Sequence, residues 1–385
     1  MERLVKACDP ATFGKNSEDL YDESYRKAKK LSSNLFMVRL DVVGLGLIKI
    51  IRENLMFGET SERAVRAELY NLNVYGHFYT HPRIILLISV LSGEGSFFKA
   101  HVDTPRGIRM FGSLVILFPT SFEGGNLIMR KGENEWTFDA AQALAECSGP
   151  HIAYVALYSD VEHEVSMVTS GHRISITYNL YFDDDAPSQA PTIPLSPNAL
   201  ELKKTLEILL LDATFFPDGG WLGFNLQHKY PVYSLAPSHD LKKMEKCLKG
   251  TDVDIVRVAK ELSLHVSART FVSTCRDSDL IAFKGYVPDL TDVDEKYIPL
   301  APGAVKLEED MPVYWINEES PEKINQTEPD DVYGNAPAVS YSYKSFCLFI
   351  EVGKPGMRTT PPLREDTADR ANRGDEEDVE DMDED

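Results

Sequence analysis

The chain is short of cysteine, of basic charge and of long apolar runs, and each shortage excludes something. Its five cysteines (Cys8, Cys147, Cys247, Cys275 and Cys347) are odd in number, widely scattered and free of any CxxC pair. Neither a disulfide framework nor a zinc knuckle is expected, and a reducing compartment, cytoplasmic or nuclear, is the natural setting. The longest apolar run, Ile84 to Leu91, is far too short to span a bilayer. Met1 to Pro10 is charged and lacks an apolar h-region, so no secretory leader and no membrane association are expected. Lys and Arg number 40 against 61 Asp and Glu, a net charge of −21. Without a basic stripe, that balance argues against a phosphate-backbone partner such as nucleic acid. The acid is concentrated at the end. Arg364 to Asp385 carries three Arg against twelve acids, nine of them in the last eleven residues. Such a tail is expected to be disordered and free to meet a basic protein.

What is present points to chemistry. The 385 residues are 43% hydrophobic, enough to bury a sizeable core in one large or two ordinary domains. The stretch Gly95 to Gly107, GSFFKAHVDTPRG, contains His101 and Asp103. On a strand, side chains two apart share a face, so an imidazole and a carboxylate can reach one point without bending the backbone. Alone the pair is a weak signal, equally at home in a surface loop. A second stretch, EHEVSMVTSGHRISITYNLYF, adds His163 and, ten residues on, Arg173. Two His and one carboxylate with open opposite positions make the facial triad of non-haem Fe(II) oxygenases. An Arg on a neighbouring strand supplies the planar fork that grips a carboxylate. Iron chelated by 2-oxoglutarate needs both.

Taken in order, Ser17 before Glu18 and Asp19 suggests the cap of a short helix through Tyr25 to Lys30. Leu47, Ile48, Ile51 and Leu55 keep helical spacing before Gly58. Ala67 to Tyr75 enters a first strand, Phe111 to Pro119 and Ile152 to Tyr158 are apolar strands, and Gly124-Gly125 turns into Asn126 to Met129. Short strands with turns between them and no helical alternation indicate a sheet sandwich or jelly roll. His77 to Glu94 does not fit. Its apolar run interrupts an otherwise smooth strand–turn–strand, LNVYG joined to EGSFFKAHVDTP, with Gly76 and Gly93 at its edges. Residues 77–93 read either as retained intron sequence or as a genuine buried strand or hairpin. Beyond a Pro- and Ser-rich stretch, helices are expected over Asn198 to Phe216, Asp240 to Leu248 and Asp252 to Leu264. Strands follow over Asp279 to Tyr286, Val313 to Asn317 and Lys344 to Val352. His228, His239 and His265 lack metal-like spacing and are read as structural or surface residues. Arg106 and Arg109 read as solvated loop charges or as the lining of a substrate entrance, His172 and Glu164 as pointing away from the metal. Thr104 is placed near the metal carboxylate, and Met110, Phe111 and Phe118 in the core.

At HVDTP and HEV…R the sequence resembles the Fe(II)/2-oxoglutarate-dependent dioxygenases, in particular the prolyl 4-hydroxylase-like branch. The matching positions are Tyr75-Gly76, His101 and Asp103, Gly124-Gly125-Asn126-Leu127, His163 and Arg173. The phrases ACDPATFG, LNVYG, HVDTPRG, SGHRISITYNLY and YGNAPAVSYSY resemble a group of fungal oxygenases. The resemblance implies a mainly β fold with flanking helices (α+β), built on a double-stranded β-helix (jelly-roll, cupin-like) core plus a C-terminal α/β region. It implies that His101, Asp103 and His163 hold Fe(II), that Arg173 pairs with 2-oxoglutarate and that Tyr75 donates a hydrogen bond to the same carboxylate. O2 would be consumed, succinate and CO2 released, and ascorbate would reactivate the metal. The implied activity is hydroxylation of an unknown substrate, a protein or peptide side chain such as proline. Oxidation of a small molecule or nucleobase, and a catalytically silent scaffold using the acidic tail, are the alternatives. The expected division is N-terminal helical support over 1–64, a dioxygenase domain over 65–183, a linker over 184–197, a second α+β region over 198–355 and the tail over 356–385.

Overall fold

The computed structural model describes residues 1–56, 63–76, 95–183, 195–233, 246–273, 280–284, 304–307, 312–316, 333–337 and 341–358. The 77–93 segment, residues 184–194 of the expected 184–197 linker, most of the expected 240–248 helix, His239 and the acidic run from Arg364 on lie outside them. The described chain is mostly β, with two antiparallel sheets that share one strand. That strand, Glu162–Asp183, is 22 residues long. Its second half runs between Ala64–Gly76 on one side and Met110–Leu117 on the other. Lys29–Ser32 and Ala153–Tyr158 extend this first sheet outward. Its first half pairs instead with Ser96–His101 and Leu127–Lys131, and Asn134–Phe138 closes that second sheet. Gly171, at φ +69, lies in the shared strand where a Cβ would strike the Ser121 carbonyl. A side chain there would drive the two segments apart, so the strand can run past this point only as glycine. The result is a β-rich, jelly-roll-like architecture.

Alternation along the shared strand explains where the core sits. Ile174, Ile176, Tyr178 and Leu180 face outward from the sandwich and pack with Leu47, Ile48 and Ile51 of the helix Leu47–Leu55. The intervening Arg173, Ser175 and Thr177 face the space between the sheets. That interior is closed by Phe13, Tyr75, Phe98, Leu127, Val165 and Val168. Both faces of the strand are therefore covered, and a one-residue slip would exchange the apolar set for the polar one.

Three expectations are corrected. The helix expected over Tyr25 to Lys30 is strand: Arg26–Lys27 pairs with Ser96–His101, and Lys29–Ser32 with Ala64–Gly76. Ladder hydrogen bonds and the burial of Arg26, Ala28 and Leu31 outweigh a weak local helix preference. The stretch 1–64 accordingly is not a helical support. It has the helices Glu2–Ala7 and Leu47–Leu55, but it gives strands to both sheets. The second region is α+β rather than α/β. Its six-stranded sheet is antiparallel except for the pair Gly220–Asn225 and Val313–Trp315. The helices Pro197–Leu211 and Asp252–Glu261 pack over it around Leu222, Phe224, Leu348 and Ile350. No helix among the described residues is long and apolar enough to cross a membrane.

Candidate metal centre

His163 and His101 stand directly opposite each other on paired strands. Cross-strand neighbours have Cβ atoms about 4.5–5.5 Å apart, which brings the two rings to a centroid separation of 4.3 Å. Asp103 follows two residues after His101, past the strand end, and its Oδ1 lies 4.0 Å from His163 Nε2. One ligand atom from each of His101, Asp103 and His163 falls within 4.8 Å of the others, and all three residues are buried. The imidazoles are pre-set as ligands. His101 Nδ1 lies 2.8 Å from the Lys99 carbonyl and His163 Nδ1 2.9 Å from the Val161 carbonyl. Each Nδ1–H donates to backbone, which leaves each Nε2 as the nitrogen that can take a metal. Burial, reinforced by the neighbouring His163, holds His101 well below the usual imidazole value and so in its neutral form. The Asp103 carboxylate accepts from Ser113 Oγ at Oδ2 and from Asn335 Nδ2 at Oδ1. Two imidazoles and one carboxylate in a buried pocket suit a divalent ion such as Fe(II) with positions left open.

The same pocket, about 530 Å³ with its open mouth, is walled by the inward faces of strands from both sheets. Across the shared strand the rungs read Arg173 opposite Tyr75, Ser175 opposite Asn73 and Thr177 opposite Asn71. Arg173 is 1% exposed. Its guanidinium lies 5.2 Å from the Tyr75 ring, and Nη1 reaches Ser175 Oγ at 3.4 Å. Nε and Nη2 have no partner, and burial pulls the group below its ordinary value. A buried cation without an anion is costly unless something negative joins it. Room for that side chain depends on Gly125, at φ +66. A Cβ there would sit 2.8 Å from Arg173 Cδ and 2.8 Å from Val168 Cγ2. Gly125→Ala is expected to cost more than the roughly 1–2 kcal/mol of a left-handed alanine, read as a lower urea midpoint. It should also weaken binding of any carboxylate ligand at Arg173.

The other expected positions fall outside the metal cluster. Glu164 pairs with Arg130 at 3.0 Å. His172 lies against Gly76, one rung beyond Arg173. Arg106 is exposed but stacks on Tyr70 and donates to its hydroxyl at 2.5 Å, at the pocket wall. Arg109 is exposed. Met110 and Phe111 are buried in the core. His228 is buried beside Asp160, and His265 lies 3.7 Å from Glu351.

Two pocket residues had no signal that spacing could supply. Arg26 is 3% exposed, stacks 4.2 Å over Phe98 and donates to the Thr12 carbonyl and to Asn73 Oδ1. Its sequence context is that of a charged surface helix. Asn335 is 232 residues from Asp103 in the chain.

No protein-family model matches the chain, and no curated protein matches it. Among solved structures it is similar to a Pseudomonas putida prolyl-4-hydroxylase, at 16% identity over 47% of this chain and 81% of that one, with a TM-score of 0.27. It is also similar to an oxidoreductase of the 2OG-Fe(II) oxygenase family from Burkholderia pseudomallei, at 15% identity over 49% and 82%, with a TM-score of 0.26. Likenesses this slight leave the site to be argued from its own geometry.

Proposed function

We propose that the chain is an Fe(II)- and 2-oxoglutarate-dependent oxygenase, with His101, Asp103 and His163 as metal ligands. One observation carries the reading. A two-His, one-carboxylate cluster and a buried guanidinium with unpartnered N–H groups line one pocket. Arg173 would take the distal carboxylate of 2-oxoglutarate, and Tyr75, on the facing rung, would donate its hydroxyl to the same group. When bound, the iron and its co-substrate would supply O2 activation, with release of succinate and CO2. The protein's part is to turn both imidazoles so that Nε2 can bind the metal, to fix the carboxylate and to hold the co-substrate against a dry wall. The motif resemblance to prolyl 4-hydroxylases suggests a peptide side chain such as proline as substrate. The core would then be a double-stranded β-helix, and ascorbate would support turnover.

Calorimetric titration of 2-oxoglutarate into Mn(II)-loaded protein tests this reading. One equivalent should bind, and Fe(II) should support succinate formation without a prime substrate. A loaded protein that takes up no 2-oxoglutarate would overturn it. The two halves of the site are separable. Arg173→Leu should leave Mn(II) affinity unchanged and weaken 2-oxoglutarate about a hundredfold, the scale of a buried pair worth roughly 3 kcal/mol.

A further inference from the structure

We propose that Asn335, from the C-terminal region, is a positioning residue that aims the Asp103 carboxylate at the metal. The inference rests on the metal reading above. Asn335 sits in the phrase YGNAP, which spacing leaves without a role. Its amide bridges Asp103 of the cluster and the adjoining Thr104 at once. Nδ2 donates to Asp103 Oδ1, and Oδ1 accepts from the Thr104 backbone N–H at 3.1 Å. Asp103 Oδ1 is the oxygen near His163 Nε2. With Ser113 holding Oδ2, both carboxylate oxygens are engaged. Rotation of the carboxylate about Cβ–Cγ is thereby opposed at each end. Polar partners behind a metal ligand typically change affinity about 10- to 100-fold when removed.

The loop that carries Asn335 is docked, not draped. Gly334 bridges to Val102, and the Val102 N–H donates to the Tyr333 carbonyl at 3.2 Å. The Ala336 N–H donates to Thr104 Oγ1 at 3.2 Å, while that hydroxyl donates to the Ala336 carbonyl. Tyr333–Gly334 also pairs with Phe13–Lys15. The Tyr333 ring stacks on Tyr25 at 4.5 Å. The approach is close enough to require glycine at two places. A Cβ on Gly334 would strike Thr104 Oγ1, and one on Gly14 would strike the Ala336 carbonyl. The hydrogen bonds fix the loop beside HVDTP, and the glycines let its backbone come near enough for a short amide to reach Asp103.

Co(II), a spectroscopic stand-in for Fe(II), reads the effect without turnover. Wild-type protein should bind one equivalent with a ligand-field absorption band. Asn335→Ala should raise the Co(II) Kd about tenfold or more and alter that band. Asn335→Ser offers a hydroxyl one bond short of both partners and should show the same loss with a lighter burden on folding. Hydrogen exchange gives the reciprocal view, since coupling between two sites acts both ways. Amides of 333–336 should exchange more slowly when Co(II) is added to wild type, and the slowing should vanish in the variants. If both folded variants bind Co(II) within twofold of wild type, the positioning role is wrong and the metal centre stands. If wild type binds no Co(II), the metal reading fails and takes this inference with it.

Discussion

Asp103→Ala is expected to abolish 2-oxoglutarate turnover, by about a thousandfold or more, equivalent to about 4 kcal/mol of barrier. The reasoning is electrostatic before it is geometric. Asp103 is the one anionic member of the cluster. Without it a divalent ion would face two imidazoles and no anion in a buried pocket that also holds the cations Arg26 and Arg173. The hydrogen-bond donors Ser113 and Asn335 would be left aimed at a hole. Asp103→Asn isolates the charge. It keeps the volume and can still accept from Ser113, yet its affinity for Mn(II) should fall nearly as far. Succinate release by mass spectrometry and Mn(II) binding by paramagnetic resonance check the two effects separately. An alanine variant that keeps wild-type turnover would remove Asp103 from the metal and with it the reason for reading the pocket as an oxygenase site.

Much of the cluster was legible because its members obey short-range rules. His101 and Asp103 are two apart at a strand end, and Arg173 opens an alternating run, so period-two arithmetic alone puts them on defined faces. That His163 meets His101 is a register fact. It depends on the irregularity between His163 and Val165, which no single-strand pattern reveals. Tyr75 illustrates the converse. Its distance from His101 in sequence, lengthened by 77–93, counts against a shared role, yet the ladder sets Tyr75 opposite Arg173 regardless of what intervenes. Ser96 Oγ donates to the Gly76 carbonyl at 2.6 Å, so the two sides of that segment meet in space. Arg26 was hidden for another reason. A charged, helix-favouring stretch reads as surface until two strands take it up as their edge, and only then does a guanidinium turn inward over Phe98. Asn335 lay beyond any local rule, because what it touches is 232 residues away.

The stretch 184–197, expected as a linker, does not say whether the regions on either side of it touch; charge chemistry ties them together at Asp160. Asp160 lies three residues before His163, and its side chain is 3% exposed. Lys249 Nζ donates to it at 2.6 Å, His228 Nδ1 lies 3.1 Å away, and the Lys229 backbone N–H donates at 3.1 Å. These three partners come from the second region. Lys131, at 3.6 Å, comes from the strand beside His163. Burial alone would raise the Asp160 carboxyl. Lys249, His228 and Lys131 overturn that and hold it well below the usual carboxylate range. Asp160→Ala should therefore destabilise the protein by about 3–5 kcal/mol at pH 7, because Lys249, itself 1% exposed, loses its counter-charge. The pH dependence follows from the direction of the shift. A depressed carboxyl stabilises the fold fully above the unfolded aspartate value of about 4 and loses that contribution as pH falls through the folded value. The gap between wild type and Asp160→Ala in urea unfolding should hold from pH 7 to about 5 and narrow below about 4. A gap that is absent at pH 7, or that widens on acidification, would show that the joint is not electrostatic. Since Asp160 and His163 share one short segment, the variant should also bind Mn(II) more weakly. The second region would then act on the metal site at two points, steadying the strand of His163 through Asp160 and orienting the Asp103 carboxylate through Asn335.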